Sequence, residues 1–558
     1  MATLTVAAGC EVGSHGGFDG SGGQAAGAVE STQSDRDTAL NARGGSAEAP
    51  AMEPASDGAE VPVAELPWPE PDNELPPCDP WGDFEEPEVA PAAGAIYLDL
   101  SATMQPVMVD ERILVEVRTA EMGPVDTTLH TTFELDAGAD ATVVGKVDIV
   151  GGRGEAVVRF HKPGRHVLSA SLPGDARTGT AEVVAYRSQL PVWSMSIAQI
   201  DLDRMLVDVR QRIKVEAELA VAGESYETQV RLHGGSSRGY EKLSFRFDLG
   251  EGLMLPDTHD HIIVRSEWND KAMLRNHLGL ELFRNATWLP TPNAEPVHFR
   301  INQRYYGVMW RVERIGGDFL RLRGLNKDTA SMYEADPPRE CWVPGGGLVP
   351  LESFEEYQCV YDQKKGELEY ADLIELIEET LQLPDPEFAE VIDQVVNVDA
   401  YLVYMAVMGL IQNRDQVKKN YYLYRDPSAV DDRWIVLPWD LDLSFGHLWT
   451  EENDVLDEGL FTMEPVVAGL CPGFCNQLTS RIYGVPRFER RFYEILKHIA
   501  QESFTEDFFD ARIDNFICRA TPDILADPLK RADNAEYLDR VDEIRLFVKQ
   551  RRAYALGR

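Results

Sequence analysis

Positive charge is scarce in this chain. Over 558 residues it carries 53 Lys and Arg against 94 Asp and Glu, a formal net charge of −41. That balance excludes binding to nucleic acid or to an anionic membrane surface by charge alone. It fits an exported protein or a basic partner, and it also serves solubility. Long hydrophobic runs are lacking too. No stretch of 18 apolar residues occurs, so no spanning helix is expected. Cysteine is sparse, with seven in all. Cys471-Pro-Gly-Phe-Cys475 has no second pair and no His pair at a useful distance, which argues against zinc. With Cys10 set aside, Cys78, Cys341, Cys359, Cys471, Cys475 and Cys518 remain. An even number permits disulfides in an exported chain. Cys341 with Cys359 would close a Gly- and Pro-containing loop, and Cys471 with Cys475 a small one.

Residues 11–90 have few aliphatics in sequence and hold 18 acidic against 2 basic residues. Rich in Gly, Ala, Pro, Ser and Glu, the segment cannot bury enough apolar surface to offset chain entropy. It reads as a disordered acidic linker, in which Trp68 and Trp81 are local features. Residues 1–10, MATLTVAAGC, look like the end of a truncated lipoprotein signal. A lipidated Cys10 would attach the protein to a membrane and make the linker a spacer, which implies an exported, cell-envelope or surface location.

Residues 91–190 show short alternating patterns at turn-punctuated intervals. Ile96–Leu100, Arg112–Val117, Thr131–Leu135, Thr142–Ile149, Glu155–Phe160 and His166–Ser171 read as strands of a two-sheet sandwich. The unit resembles the immunoglobulin-like modules of bacterial surface proteins, and it shows no catalytic cluster.

Chemistry concentrates between Asn413 and Gly446. Val398–Ile411 is apolar on nearly all sides and predicts a buried helix ending at Asn413-Arg414-Asp415. Tyr421–Arg425 and Trp434–Leu437 are strand-like, and the polar turn between them predicts a hairpin. Hairpin pairing brings Asn420, entering one strand, within about 5–10 Å of Asp440, leaving the other. Asp440 and Asp442 fall on one side of an extended backbone. Carboxylates and an amide in this arrangement suit a hard divalent cation such as magnesium or manganese. The order Asp415, Asn420, Asp440 is the order in which a kinase sets out its catalytic base and metal ligands.

With those residues in place, the chain resembles the spore-coat CotH kinase family, whose members resemble very divergent protein kinases. The resemblance is carried by PWDLDLSFG and by Asp415 with Asn420. RLHGGSSRGYEKLSFRFDL (Arg231–Leu249), SEWNDKAMLRNHLGLELF (Ser266–Phe283) and FRINQRYYGVMWRVERI (Phe299–Ile315) support it. Two positions depart from the family pattern: His233 stands where many relatives carry Arg, and Glu334 where relatives often carry Lys. The fold implied is α+β, a protein-kinase-like domain over residues 191–558 behind the sandwich and the linker.

The resemblance implies an ATP- and metal-dependent kinase acting on Ser or Thr of a protein substrate. Asp415 would orient the acceptor hydroxyl, while Asn420, Asp440 and Asp442 would hold the metal. Lys242 is the expected cation for the α- or β-phosphate. The loop before it, with Ser237 and Arg238, would cover phosphate by backbone N–H groups. Glu313 is the expected partner of Lys242, with Arg311 or Arg314 as competing partners. Two further classes share these residues: an inactive metal-binding surface protein, and a nucleotidyl transferase.

Overall fold

Alternation along short strands builds the first described unit. The computed structural model describes residues 61–70, 74–78, 96–99, 106–119, 131–144, 147–173, 178–249, 260–338, 341, 345–413, 415–447 and 476–557. In Arg153–Phe160, exposed and buried positions alternate along the strand. Four strands pair in the order Ile96–Asp99, Ile113–Thr119, Arg153–Phe160, Ala141–Val144. Five more pair as Val107–Met108, Thr178–Tyr186, Gly164–Ser171, Thr131–Asp136, Val147–Ile149. Val115, Val117 and Val158 of the first sheet share one core with Leu168, Ala181 and Val183 of the second. Val107–Met108 and the long Thr178–Tyr186 strand were not anticipated.

A closed barrel follows. Its strands run Val192–Ile197, Val215–Val221, Glu224–His233, Ser244–Leu249, His261–Arg265, Arg304–Glu313 and Ala294–Ile301 around the ring. Closure removes edges that would otherwise pair with other chains. Inward positions such as Leu232, Phe245, Phe247, Val264 and Phe299 fill the interior. Ile263 faces the other way and joins the main core of the chain.

The rest is helical around a small antiparallel sheet, ordered Tyr361–Lys365, Ser331–Ala335, Tyr421–Arg425, Ile435–Pro438. The expected buried helix is present as Val398–Ile411, with twelve of its residues buried. Arg275–Ala286, Pro486–Glu502 and Asn534–Leu556 pack around it. This last helix is held in the body along one face. Tyr537, Val541, Ile544, Val548 and Ala555 bury one face, and the fully buried Arg551 donates to the Gly409 carbonyl at 3.1 Å. The helical run after Tyr370 is a short α-turn at Ala371–Ile374 that widens over Glu375–Glu379 and tightens over Thr380–Gln382.

The described part of the acidic linker docks on the body of the protein. Leu66 is buried in the main core. Trp68 stacks on His498 at 4.4 Å and meets Trp288 edge-on at 5.5 Å. Cys78 is disulfide-bonded to Cys518. Composition concealed this, because one Leu, one Trp and one Cys suffice to dock the segment. Cys341 and Cys359 pair as expected; Cys10, Trp81, Cys471 and Cys475 lie outside the described residues.

Two buried carboxylates, Asp523 in the last turn of the Glu506–Leu525 helix and Asp527 just after it, lock the units together. Asp523 accepts from Tyr186 at 3.0 Å, from Ser188 at 2.9 Å and pairs with His298 at 2.6 Å. Asp527 accepts from the Val308 N–H at 3.0 Å.

Candidate active site

The Val398–Ile411 helix ends at Gln412, whose φ of +56° turns the chain out of the helix. The Asn413 side chain then accepts from the N–H groups of Asp415 and Gln416 at 3.0 and 3.2 Å, which shapes the loop. Arg414 lies outside the described residues. Asp415 is buried, accepts from Asn420 Nδ2 at 2.6 Å and pairs with Lys419 at 2.9 Å. Burial raises its carboxyl above the usual range, Lys419 partly offsets this, and Asp440 adds to it.

The predicted hairpin forms. Tyr421 pairs with Pro438 and Tyr424 with Ile435, so Asn420 and Asp440 flank the same end. Both adopt left-handed backbone, at φ +64° and +57°, a conformation that Asn and Asp tolerate better than other non-glycine residues. The side chains of Asp440 and Asp442 keep 27% and 19% exposure, so both carboxylates stay partly open to solvent. Burial would raise both groups. Arg265 and then Lys419 outweigh it at Asp440, which lies below its ordinary value. Asp442 is pushed well above, by burial and then by Asp440.

Arg265, Glu267 and Asn276 were missed by sequence reasoning and complete the cluster. Arg265 Nη2 lies 2.6 Å from Asp440 Oδ1, and its Nε lies 2.9 Å from Glu267. Asn276 donates to Glu267 at 3.0 Å and accepts the Leu441 N–H at 2.9 Å. Its helix starts at Arg275, where Asp270 accepts the N–H groups of Leu274 and Arg275, each at 2.8 Å. The Arg-Asn pair had been noted only as part of a resemblance, so the signal was present without a role attached.

A divalent cation fits this chemistry. Glu267 Oε2 is a buried acceptor without a hydrogen-bond donor, and Asp442 is destabilised in its charged form beside Asp440. Among the described residues no three His, Cys, Asp or Glu side chains form a complete metal cage. Asp440 and Asp442 would therefore share the ion with the Asn420 amide, water and phosphate oxygens.

The expected phosphate contacts fall elsewhere. Lys242 is fully buried, 2.5 Å from Asp527 and 2.6 Å from the Val308 carbonyl. It is structural because a buried ammonium requires a partner, and Asp527 supplies one. Glu313 pairs with Arg323 at 2.6 Å, while Lys242 is held by Asp527. Arg238 folds away to donate to the Val209 and Arg210 carbonyls at 3.0 and 2.6 Å. Ser237 lies in the short turn Ser236–Gly239. Its hydroxyl lies where a Cβ on Gly234 would stand, and Gly234 has φ of +100°, so only glycine serves there. The flanks of this loop still reach the cluster: His233 feels Asp440, and Tyr240 feels Asp442.

An α+β chain with an acidic pair, an Asp–Asn couple and this order of residues is matched by the family model described as CotH kinase protein, over residues 230–555. That is more than half of the chain, and the chain belongs to the CotH kinase family. It is 25% identical over 369 residues to the inner spore coat protein H of Bacillus subtilis (strain 168), covering 66% of this chain and 97% of that relative.

Proposed function

We propose that this chain is an ATP- and divalent-metal-dependent protein kinase of the CotH type, acting on Ser or Thr hydroxyls of exported or surface proteins. The observation that carries the reading is the buried Asp415–Asn420 couple, joined at 2.6 Å beside Asp440 and Asp442. Magnesium or manganese between Asn420, Asp440 and Asp442 would screen the phosphate charge. Asp415 orients the acceptor hydroxyl and receives its proton as the oxygen bonds to the γ-phosphorus. The bridging oxygen leaves with ADP, and the proton passes from Asp415 to solvent. Lys419 keeps the Asp415 carboxylate charged and in place. Water exclusion would fall to the frame around the site, the barrel on one side and the helical part on the other.

The net charge of −41 suits a basic protein substrate. Two disulfides among the described residues suit an oxidising compartment. The two-sheet unit would act as an immunoglobulin-like spacer, and lipidation at Cys10 as the membrane attachment. The name of the Bacillus relative places that protein in a spore coat, which supports a surface-associated location here. One observation favours a second reading: Arg265 sits on Asp440 as a metal would, as in a catalytically inactive binding protein.

The test uses the full-length chain with magnesium or manganese, a basic acceptor protein, and ATP labelled on the γ- or the α-phosphate. Transfer of γ-label that falls by two to four orders of magnitude in Asp415→Asn, and vanishes in Asp440→Ala, supports a kinase. Transfer of α-label means nucleotidyl transfer. Absence of both in the presence of bound metal sinks the enzyme reading.

A further inference from the structure

Lys242 leaves the phosphate tail of the nucleotide without its expected cation, and the outer face of the barrel supplies several. Val230, Leu232, Phe245, Phe247, Ile262 and Val264 point into the barrel. Alternation therefore puts Arg231, His233, Arg246, Ile263 and Arg265 on the outside. Arg231 lies directly opposite Arg246 on the neighbouring strand, and Arg246 opposite Ile263 on the next. Cross-strand Cα atoms stand about 5 Å apart, and Arg265 is roughly 7 Å further along from Ile263. Arg314, one residue beyond the Arg304–Glu313 strand, joins them through its interaction with Arg246 and Arg231.

Like charges directly opposite each other destabilise a sheet, so this arrangement needs an explanation. Internal pairing does not provide one. Asp248 faces the group, and it is shared by Arg246 at 2.8 Å, Lys214 at 2.7 Å and His261 at 2.8 Å. Among the described residues Arg231 makes no ion pair; its guanidinium donates to the Leu232 carbonyl at 3.1 Å. Arg314 has no ion pair among them either. Burial, then Arg246 and Arg212, push the Arg231 guanidinium down to about 10. In a chain of net charge −41, three arginines gathered around one carboxylate, Asp248, that Lys214 and His261 already share form a site kept for an anion. The same wall reaches the acidic pair: His233 feels Arg265, Arg231 and Asp440 together.

We propose that Arg231, Arg246 and Arg314 form the binding subsite for the phosphate tail of a nucleoside triphosphate, with Arg265 linking it to the metal end at Asp440. This rests on the kinase reading above for the identity of the ligand. The anion site itself rests on the register and on the shortage of counter-ions, since Asp248 is shared and Glu334, the other carboxylate near Arg314, pairs with Lys364 at 2.5 Å. Planar guanidinium groups grip phosphate oxygens in pairs, which a single lysine does not.

The test measures binding to the full-length protein by calorimetry, with inorganic tripolyphosphate in EDTA and with ATP plus manganese. Tripolyphosphate binds without metal, and Arg231→Gln weakens it tenfold or more. Arg165→Gln, an equal loss of charge on the sandwich, leaves it unchanged. Arg231→Gln also raises the melting temperature of the ligand-free protein, because it relieves repulsion against Arg246; a merely structural arginine would lower it. Asp440→Ala loses manganese-dependent ATP binding and keeps tripolyphosphate. Equal tripolyphosphate affinity in wild type and Arg231→Gln, or no tripolyphosphate binding by wild type, overturns the subsite. Tripolyphosphate bound at the arginines without ATP binding or transfer overturns the kinase reading and leaves the anion site standing.

Discussion

Asn276 ties Glu267 to the backbone of Leu441, donating to the carboxylate at 3.0 Å and accepting the N–H at 2.9 Å. Leu441 is the residue between Asp440 and Asp442. A single amide on the Arg275–Ala286 helix thus sets the position of both acidic residues. The same helix approaches so closely that a Cβ on Gly279 would meet the Leu441 side chain at 2.9 Å.

Asn276→Ala is expected to cost about 1–3 kcal/mol of stability, because it leaves a buried carboxylate oxygen and a buried N–H without partners. Manganese affinity should fall with it, since the Asp440–Asp442 segment loses its anchor. Chemical denaturation and manganese titration check the two effects. An unchanged manganese affinity would show that the segment holds its shape without Asn276.

The Lys242–Asp527 pair predicts a different pattern. Lys242→Met leaves Asp527 buried and unpaired, at a cost of about 3–5 kcal/mol. Adding Asp527→Asn removes that charge while keeping an acceptor for the Val308 N–H, so the double variant should recover most of the loss. Metal-dependent ATP binding should be normal in the refolded double variant. Its loss would return Lys242 to the nucleotide.

Much of this site was legible because chemistry and local structure coincide. The hairpin and the buried helix follow from short-range pattern, so Asp415, Asn420, Asp440 and the run of Val398–Ile411 could be placed from sequence. Lys242 could not be, because its partner Asp527 is 285 residues away and a strand pattern does not tell which lysine will be buried. Arg265 and Glu267 looked like ordinary strand-end charges until the barrel closed and turned them onto Asp440. The docking of Leu66, Trp68 and Cys78 was hidden by composition, which averages over a segment in which three side chains decide the outcome.

Acid should destabilise the fold through a histidine on the Arg275–Ala286 helix. His277 stacks on Trp310 at 4.6 Å, and burial, with Arg284 and Arg512 nearby, lowers it from 6.5 to about 3. A depressed histidine gives stability that is present above the unfolded value of 6.5 and is lost as pH falls below it, because only the unfolded chain takes up the proton. His277→Phe keeps the stacked ring and removes the titration. Between pH 7.5 and 5, wild type should lose on the order of 1–2 kcal/mol more than this variant. Urea denaturation at the two pH values decides it; equal losses would place the acid sensitivity elsewhere.

The two disulfides should differ in what they protect. Cys78–Cys518 spans 440 residues and Cys341–Cys359 spans 18. Loop-closure entropy grows with the logarithm of that length, so the longer link restricts the unfolded chain by about 3 kcal/mol more. It also fastens an end that otherwise depends on Leu66, on Trp68 against Trp288 and His498, and on the Asn515 bond to the Pro76 carbonyl at 2.7 Å. Replacing Cys78 and Cys518 together by Ser should therefore lower the melting temperature more than replacing Cys341 and Cys359. It should also open residues 61–78 to protease well below that temperature, because a segment with so few contacts can peel from the body before the body unfolds. A protein with both Ser replacements that melts like wild type and resists cleavage there would mean that the aromatic contacts alone hold the segment.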